Sequence, residues 1–151
     1  MTIQIFLRRF SVIFLIVYTL SSCRVSWVPE YSAQLEDQIT RAAKATDKLY
    51  IDMLDIPVNS RTYENFKERY NEIEAEINSI KLKNEARPKN ADFLIINKNL
   101  KDAFVEAKMY HKDNSTLANG EVKAYQASLA GFWKPLYVAE LALKGAGKGG
   151  K

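Results

Sequence analysis

The sequence predicts an all-α protein, an up-down-up-down antiparallel four-helix bundle, on three observations. Between residues 30 and 143, apolar side chains recur at alternating spacings of three and four, the period that lines one face of a helix along a packing seam. Turn-forming residues break that pattern at three places, leaving four segments of about 21 to 26 residues, each roughly 32 to 39 Å long as a helix. No run alternates apolar and polar residues between turn signals, so strands are not expected. Matched lengths and short connections then set sequence neighbours side by side.

The first seam is Leu35, Ile39, Ala42, Thr46, Leu49 and Met53. Pro29 suits the first helical position, where its missing N–H is no loss, and Glu30 would lie against the positive end of the helix dipole. Residues 55–60, with Pro57 inside, end that helix, and Ser60 is the expected cap of the next. The second seam is Tyr63, Phe66, Tyr70, Ile73, Ile77 and Ile80. Residues 84–90, containing Arg87-Pro88, form the next connection, with Asn90 or Asp92 as cap.

The third seam reads Phe93, Ile96, Leu100, Ala103, Ala107 and Tyr110. Residues 112–120 make the most polar connection, and Ser115, Thr116 and Asn119 are its candidate caps. The fourth seam is Val122, Tyr125, Leu129, Phe132, Leu136, Ala139 and Leu143. Its phase passes unchanged through Pro135, which predicts one helix kinked there. The proline ring presses on the carbonyl four residues back, and that residue is Gly131, free to bend away.

Ahead of the bundle stand Arg8-Arg9, an apolar run from Phe10 to Leu20, and then Leu20-Ser21-Ser22-Cys23. The run is short of the roughly 20 residues that cross a bilayer, and extending it back to Ile3 would bury both arginines. A charged start followed by a short apolar stretch is the layout of an export signal. Leu20-Ser21-Ser22-Cys23 resembles the lipobox of bacterial lipoproteins: an aliphatic residue, two small ones and the cysteine. The resemblance implies a thioether-linked diacylglycerol on Cys23, cleavage just before it and acylation of the new amino group. Arg24 stands where the inner-membrane retention signal has aspartate, which implies sorting to the outer membrane, facing the periplasm.

The expected organisation is a cleaved signal peptide at 1–22, a lipidated tether at 23–29, the helical bundle at 30–143 and a flexible Gly/Lys tail at 144–151. Cys23 is the only cysteine, so no disulfide forms within one chain. Loss of residues 1–22 leaves 20 basic against 18 acidic residues, and the tail lysines account for the remaining excess. Nothing in that balance calls for a nucleic-acid partner.

The candidate chemistry is sparse. No Glu-x-x-His, His-Glu-x-x-His or Cys-x-x-Cys-His occurs, so no metal ligand, catalytic residue or cofactor is assigned. His111, the one histidine, is expected at a helix end or on the surface. Glu72 and Glu76, one turn apart, are expected on a solvated face. Glu140 sits among Leu136, Val138, Leu141 and Leu143, and a buried carboxylate there must be paired or protonated. Pairing with an arginine or lysine is the expectation.

Candidate partner contacts are Trp27, four residues after Cys23 and suited to lipid headgroups; Lys98, Lys101 and Lys108, with Lys112, as a basic stripe on the third helix; and Trp133 with Tyr137, an aromatic pair beside Pro135. These fit a non-enzymatic envelope lipoprotein held in the membrane by Cys23 that binds another envelope protein or polymer. The alternative is a helical carrier of a small apolar or lipid-like ligand. An enzyme acting through Glu140 or His111 is the weaker third reading and would place one of them in a cleft.

Overall fold

The computed structural model describes residues 28–148. Four helices account for most of them: α1 (Ala33–Leu54), α2 (Tyr63–Glu85), α3 (Ala91–Asn114) and α4 (Asn119–Lys148), with one 3-10 turn, Val58–Ser60, between α1 and α2. No strand occurs among the described residues. Each helix packs against its sequence neighbours and α4 returns to α1, so the four close a ring around one apolar core. The segment expected to be an export signal, Cys23, Trp27 and residues 149–151 lie outside the described residues.

Asn90 holds the N-cap position of α3 as expected, while the other helix starts differ from expectation for hydrogen-bonding reasons. Ser32 caps α1, its Oγ accepting from the Leu35 N–H at 3.3 Å. Pro29 therefore lies upstream of the helix, since a side-chain acceptor at the cap satisfies a backbone donor and a proline ring does not. Ser60 belongs to the 3-10 turn, and Thr62 holds the position before α2. The Tyr63 N–H is met instead by the Ser115 carbonyl at 3.0 Å, across the bundle end. Asn90 does precede α3, yet its amide turns back to the Asn84 and Glu85 carbonyls at 2.8 and 3.2 Å, closing the end of α2. At α4, the Glu121 carboxylate accepts from the Ala118 N–H at 2.7 Å, the returning half of a capping box.

The seams of α1 and α2 are buried at every position predicted for them. On α3 and α4 the core takes different residues at alternate turns. Phe93, Leu100 and Ala107 face inward as expected, but Asn97, Phe104 and His111 fill the places predicted for Ile96, Ala103 and Tyr110. On α4, Trp133 is 4% exposed and Phe132 37%, and Glu140 takes the place of Ala139. Two residues adjacent in sequence lie about 100° apart around a helix, so either member of each pair preserves an alternation of three and four. Apolarity ranks Ile96 above Asn97 and Ala139 above Glu140; Ile96 and Ala139 do pack against the core, but only partly buried, while Asn97 and Glu140 take the fully buried places.

The helix does not stop at Pro135 or at Leu143. α4 is continuous through the proline and runs on to Lys148. Pro135 lies on the exposed side, away from the core positions Trp133 and Leu136.

Candidate functional site

Three polar constellations and two grooves stand out among the described residues. The first joins the start of α1, the α2–α3 connection and the later part of α4. Glu140 is fully buried there, with Arg87 Nη1 at 2.8 Å and Nη2 at 3.3 Å, and its Oε1 accepts the Ser32 backbone N–H at 2.7 Å. Arg87 also donates to the Asn84 side chain at 2.9 Å and to the Glu30 carbonyl, and its guanidinium lies 5.1 Å from the centre of the Phe93 ring. A buried carboxylate so encased is a structural tie. Both of its oxygens already accept hydrogen bonds from the protein.

The second constellation lies at the opposite end. Arg61 is 3% exposed and has no carboxylate partner among the described residues; it donates to the Ile56 carbonyl at 3.0 and 2.8 Å, to the Leu117 carbonyl at 3.3 Å and to Asn119 Oδ1 at 2.6 Å. Its own carbonyl lies 2.8 Å from His111 Nε2. A carbonyl can only accept, so Nε2 carries the proton and Nδ1 accepts from the Tyr70 hydroxyl at 3.2 Å. His111 is thus a fully buried, neutral core residue, edge-on to the Tyr63 and Tyr70 rings. This corrects the surface placement expected of it. The lone histidine reads as a helix-end polar group only while Tyr70 and the Arg61 carbonyl are out of view.

Burial pulls the His111 imidazole below its ordinary value, against a smaller opposing pull from the Arg61 carbonyl. The unfolded chain then binds a proton at a higher pH than the native one, so stability is full above the ordinary imidazole pKa of about 6.5 and declines as the pH falls toward the native value. Urea midpoints measured from pH 7 to pH 5 should fall for the native sequence and fall less steeply for His111→Gln. Equal slopes in the two proteins would contradict a buried neutral imidazole. The carboxylates of Glu36 and Asp52, held low chiefly by hydrogen bonds from Tyr31 and Lys48 respectively, lose their contributions only at more acidic pH.

The third constellation is Asn97 on α3, fully buried, with neither its amide nitrogen nor its oxygen bonded to any protein group among the described residues. The side-chain nitrogen of Asn84 is likewise unpartnered. Asn97 was hidden from sequence reasoning because an asparagine beside an isoleucine is ordinarily assigned to the outside.

The groove runs between α1 and α4. It encloses about 310 Å³ and is lined from α1 by Ile39, Ala43 and Thr46 and from α4 by Ala130, Trp133 and Tyr137, with Lys44, Asp47, Gln126 and Lys134 at its rim. The Trp133 indole N–H donates to Thr46 Oγ1 at 3.1 Å, and that hydroxyl donates to the Ala42 carbonyl at 2.8 Å. The floor therefore presents carbon with its polar atoms already satisfied. A second, broader depression between α1 and α2 is charged instead, with Asp52 held by Lys48 and Arg69 at 2.9 Å each.

The residues singled out as partner contacts are dispersed. Trp133 is core on one side and groove floor on the other, while Tyr137 sits half-exposed at the groove wall. Lys98 pairs with Asp102 within its own helix, and Lys108 reaches across to Glu74 at 2.8 Å and Asn71 at 2.7 Å on α2. Lys101 is half-buried, so the three do not form one free basic stripe. Neither Glu140 nor His111 lines either groove. No cluster of histidine, cysteine and carboxylate side chains able to hold a metal occurs among the described residues.

Fold and site together define a helical bundle with an apolar groove on one face and buried polar ties near both ends. No family model, no characterised protein and no solved structure matches the chain at a significant level.

Proposed function

We propose that the protein is a lipid-anchored lipoprotein of the bacterial cell envelope, a non-enzymatic helical bundle that serves as a binding or structural component. The observation that carries this reading is the order of Arg8-Arg9, the apolar run and Leu20-Ser21-Ser22-Cys23 directly ahead of a folded helical domain. Membrane attachment through Cys23 accords with the helices themselves, since none among the described residues is long and apolar enough to cross a bilayer. Outer-membrane placement facing the periplasm follows from Arg24 by the same resemblance. The partner is an envelope protein or polymer, and nucleic acid has no part in it.

The bundle is up-down-up-down. Gln38 near the start of α1 reaches Glu76 and Ser79 late on α2, Tyr110 late on α3 bonds Glu121 early on α4, and Lys144 late on α4 bonds Glu36 early on α1. Such pairings suit antiparallel neighbours. Pro135 kinks α4, the Gly131 carbonyl giving way to its ring. The end of the bundle carrying Val28 faces the lipid, because Cys23 lies five residues earlier and an extended chain of that length spans at most about 18 Å. Leu82 and Ile95, 67% and 59% exposed on the helices that meet at this end, give it an apolar surface.

Metabolic labelling with an alkyne analogue of palmitate in a bacterial host tests the anchor. The native chain should take up label and lose its first 22 residues, whereas Cys23→Ala should remain unlabelled and uncleaved. Label retained in Cys23→Ala, or none in either chain, overturns the proposal. The apolar groove supports a second reading, a carrier of a small apolar or lipid-like ligand.

A further inference from the structure

We infer that the α1–α4 groove is a binding site for a single-chain anionic amphiphile, an acyl chain ending in a carboxylate or comparable anion. The inference gives a ligand class to the carrier reading and is independent of the anchor at Cys23, since every residue it uses lies in the described bundle.

A volume of about 310 Å³ falls at the lower end of the range for small-molecule sites and leaves room for one flexible chain. The slot exists because Ala43 and Ala130, small residues on the two facing helices, line its walls while Trp133 forms its floor. With the indole N–H held by Thr46, the floor has no free donor to reward a polar ligand. An acyl chain loses no hydrogen bond on entering and buries carbon against carbon.

The rim sets the sign of the head. Lys44 projects from α1 and Lys134 from α4, both exposed, and neither has a hydrogen-bond or ion-pair partner among the described residues. Asp47 is the one acid at the rim, and its Oδ1 accepts from Gln126 Nε2 at 2.7 Å, an amide bond across the groove. Two unpaired ammonium groups against one engaged carboxylate favour an anionic head and disfavour a cationic one.

The test uses the full-length protein in zwitterionic phosphatidylcholine nanodiscs, with dodecanoic acid bearing a terminal diazirine as the probe. After photolysis, peptide mapping should place the adducts on residues 39–47 and 126–137. Unlabelled dodecanoate should compete at least tenfold better than dodecyltrimethylammonium of equal chain length. The double variant Lys44→Gln/Lys134→Gln, two exposed positions whose change leaves the thermal midpoint in place, should cut labelling by fivefold or more. Ala130→Trp, which fills the slot, should abolish it, and Lys67→Gln, exposed on α2, should leave it unchanged. Adducts spread over all four helices, equal competition by the cationic amphiphile, or labelling indifferent to the lysine pair would each overturn the site. Failure of palmitate labelling at Cys23 would leave this result untouched.

Discussion

Glu140→Ala is expected to destabilise the bundle by about 3–5 kcal/mol, the usual consequence of removing one member of a buried ion pair. A small helical domain has only about 5–15 kcal/mol in total, so the variant should be substantially unfolded at mild urea concentrations. Two losses combine. Arg87, with its side chain only 13% exposed, is left without its counter-charge, and the Ser32 N–H that opens α1 loses its acceptor. Urea titration followed by far-UV circular dichroism measures the change. Arg87→Leu combined with Glu140→Leu should be milder than Glu140→Ala alone, since the double change leaves no charge behind. A cost below about 1 kcal/mol for Glu140→Ala would mean that the pair is a bystander.

The opposite sign is expected at Asn97, where leucine should raise stability by about 1–3 kcal/mol. That is the desolvation cost of a buried amide whose donor and acceptor find no partner in the protein. Leucine has similar length and branching, and the neighbouring core positions Phe93, Leu100 and Phe104 on the same helix face are apolar. For a domain of this size, each kcal/mol corresponds to a rise in Tm of about 3–6 °C. A lowered Tm would count against the unpartnered amide. The contrast with Glu140 is the point of the pair: full burial is common to both residues, and only the completeness of their hydrogen bonding separates loss from gain.

Legibility in the sequence divides along the same line. The all-α class, the four helices and the seams of α1 and α2 follow from apolar spacing, because the polar residues buried on α1, Gln38 and Thr46, displace no apolar seam residue. On α3 and α4 the protein buries Asn97, His111 and Glu140, and each adjoins an apolar residue that fits the period equally well. Periodicity cannot choose between neighbours when the polar one has a distant partner, and the partners of Glu140 and His111, Arg87 and the Arg61 carbonyl, lie 53 and 50 residues away in sequence. The caps follow a related rule. Ser60 and Asn90 both have suitable side chains, and Asn90 does hold the cap position of α3, but how each side chain is used depends on which backbone groups the fold leaves unmet.

The candidate site shows the same split. The residues that resemble a lipoprotein signal lie in one local stretch, 8–23, and so can be read without a structure. The groove is not local. Ala43 and Ala130 are unremarkable in isolation and form a cavity only because α1 and α4 pack together with Trp133 between them. Glu140 was expected to pair with a cation, and Arg87 is that cation, but nothing in the sequence singled out Arg61.

Arg61 has a wider effect than its hydrogen bonds individually describe. One guanidinium holds the carbonyl of Ile56 in the connection leaving α1 and that of Leu117 in the connection entering α4, while the backbone of the same residue anchors α3 through His111. Four helix termini at that end therefore share a single fastening. They are expected to open together, so that this end of the bundle exchanges its amide hydrogens as one cooperative unit although its parts are dispersed along the chain.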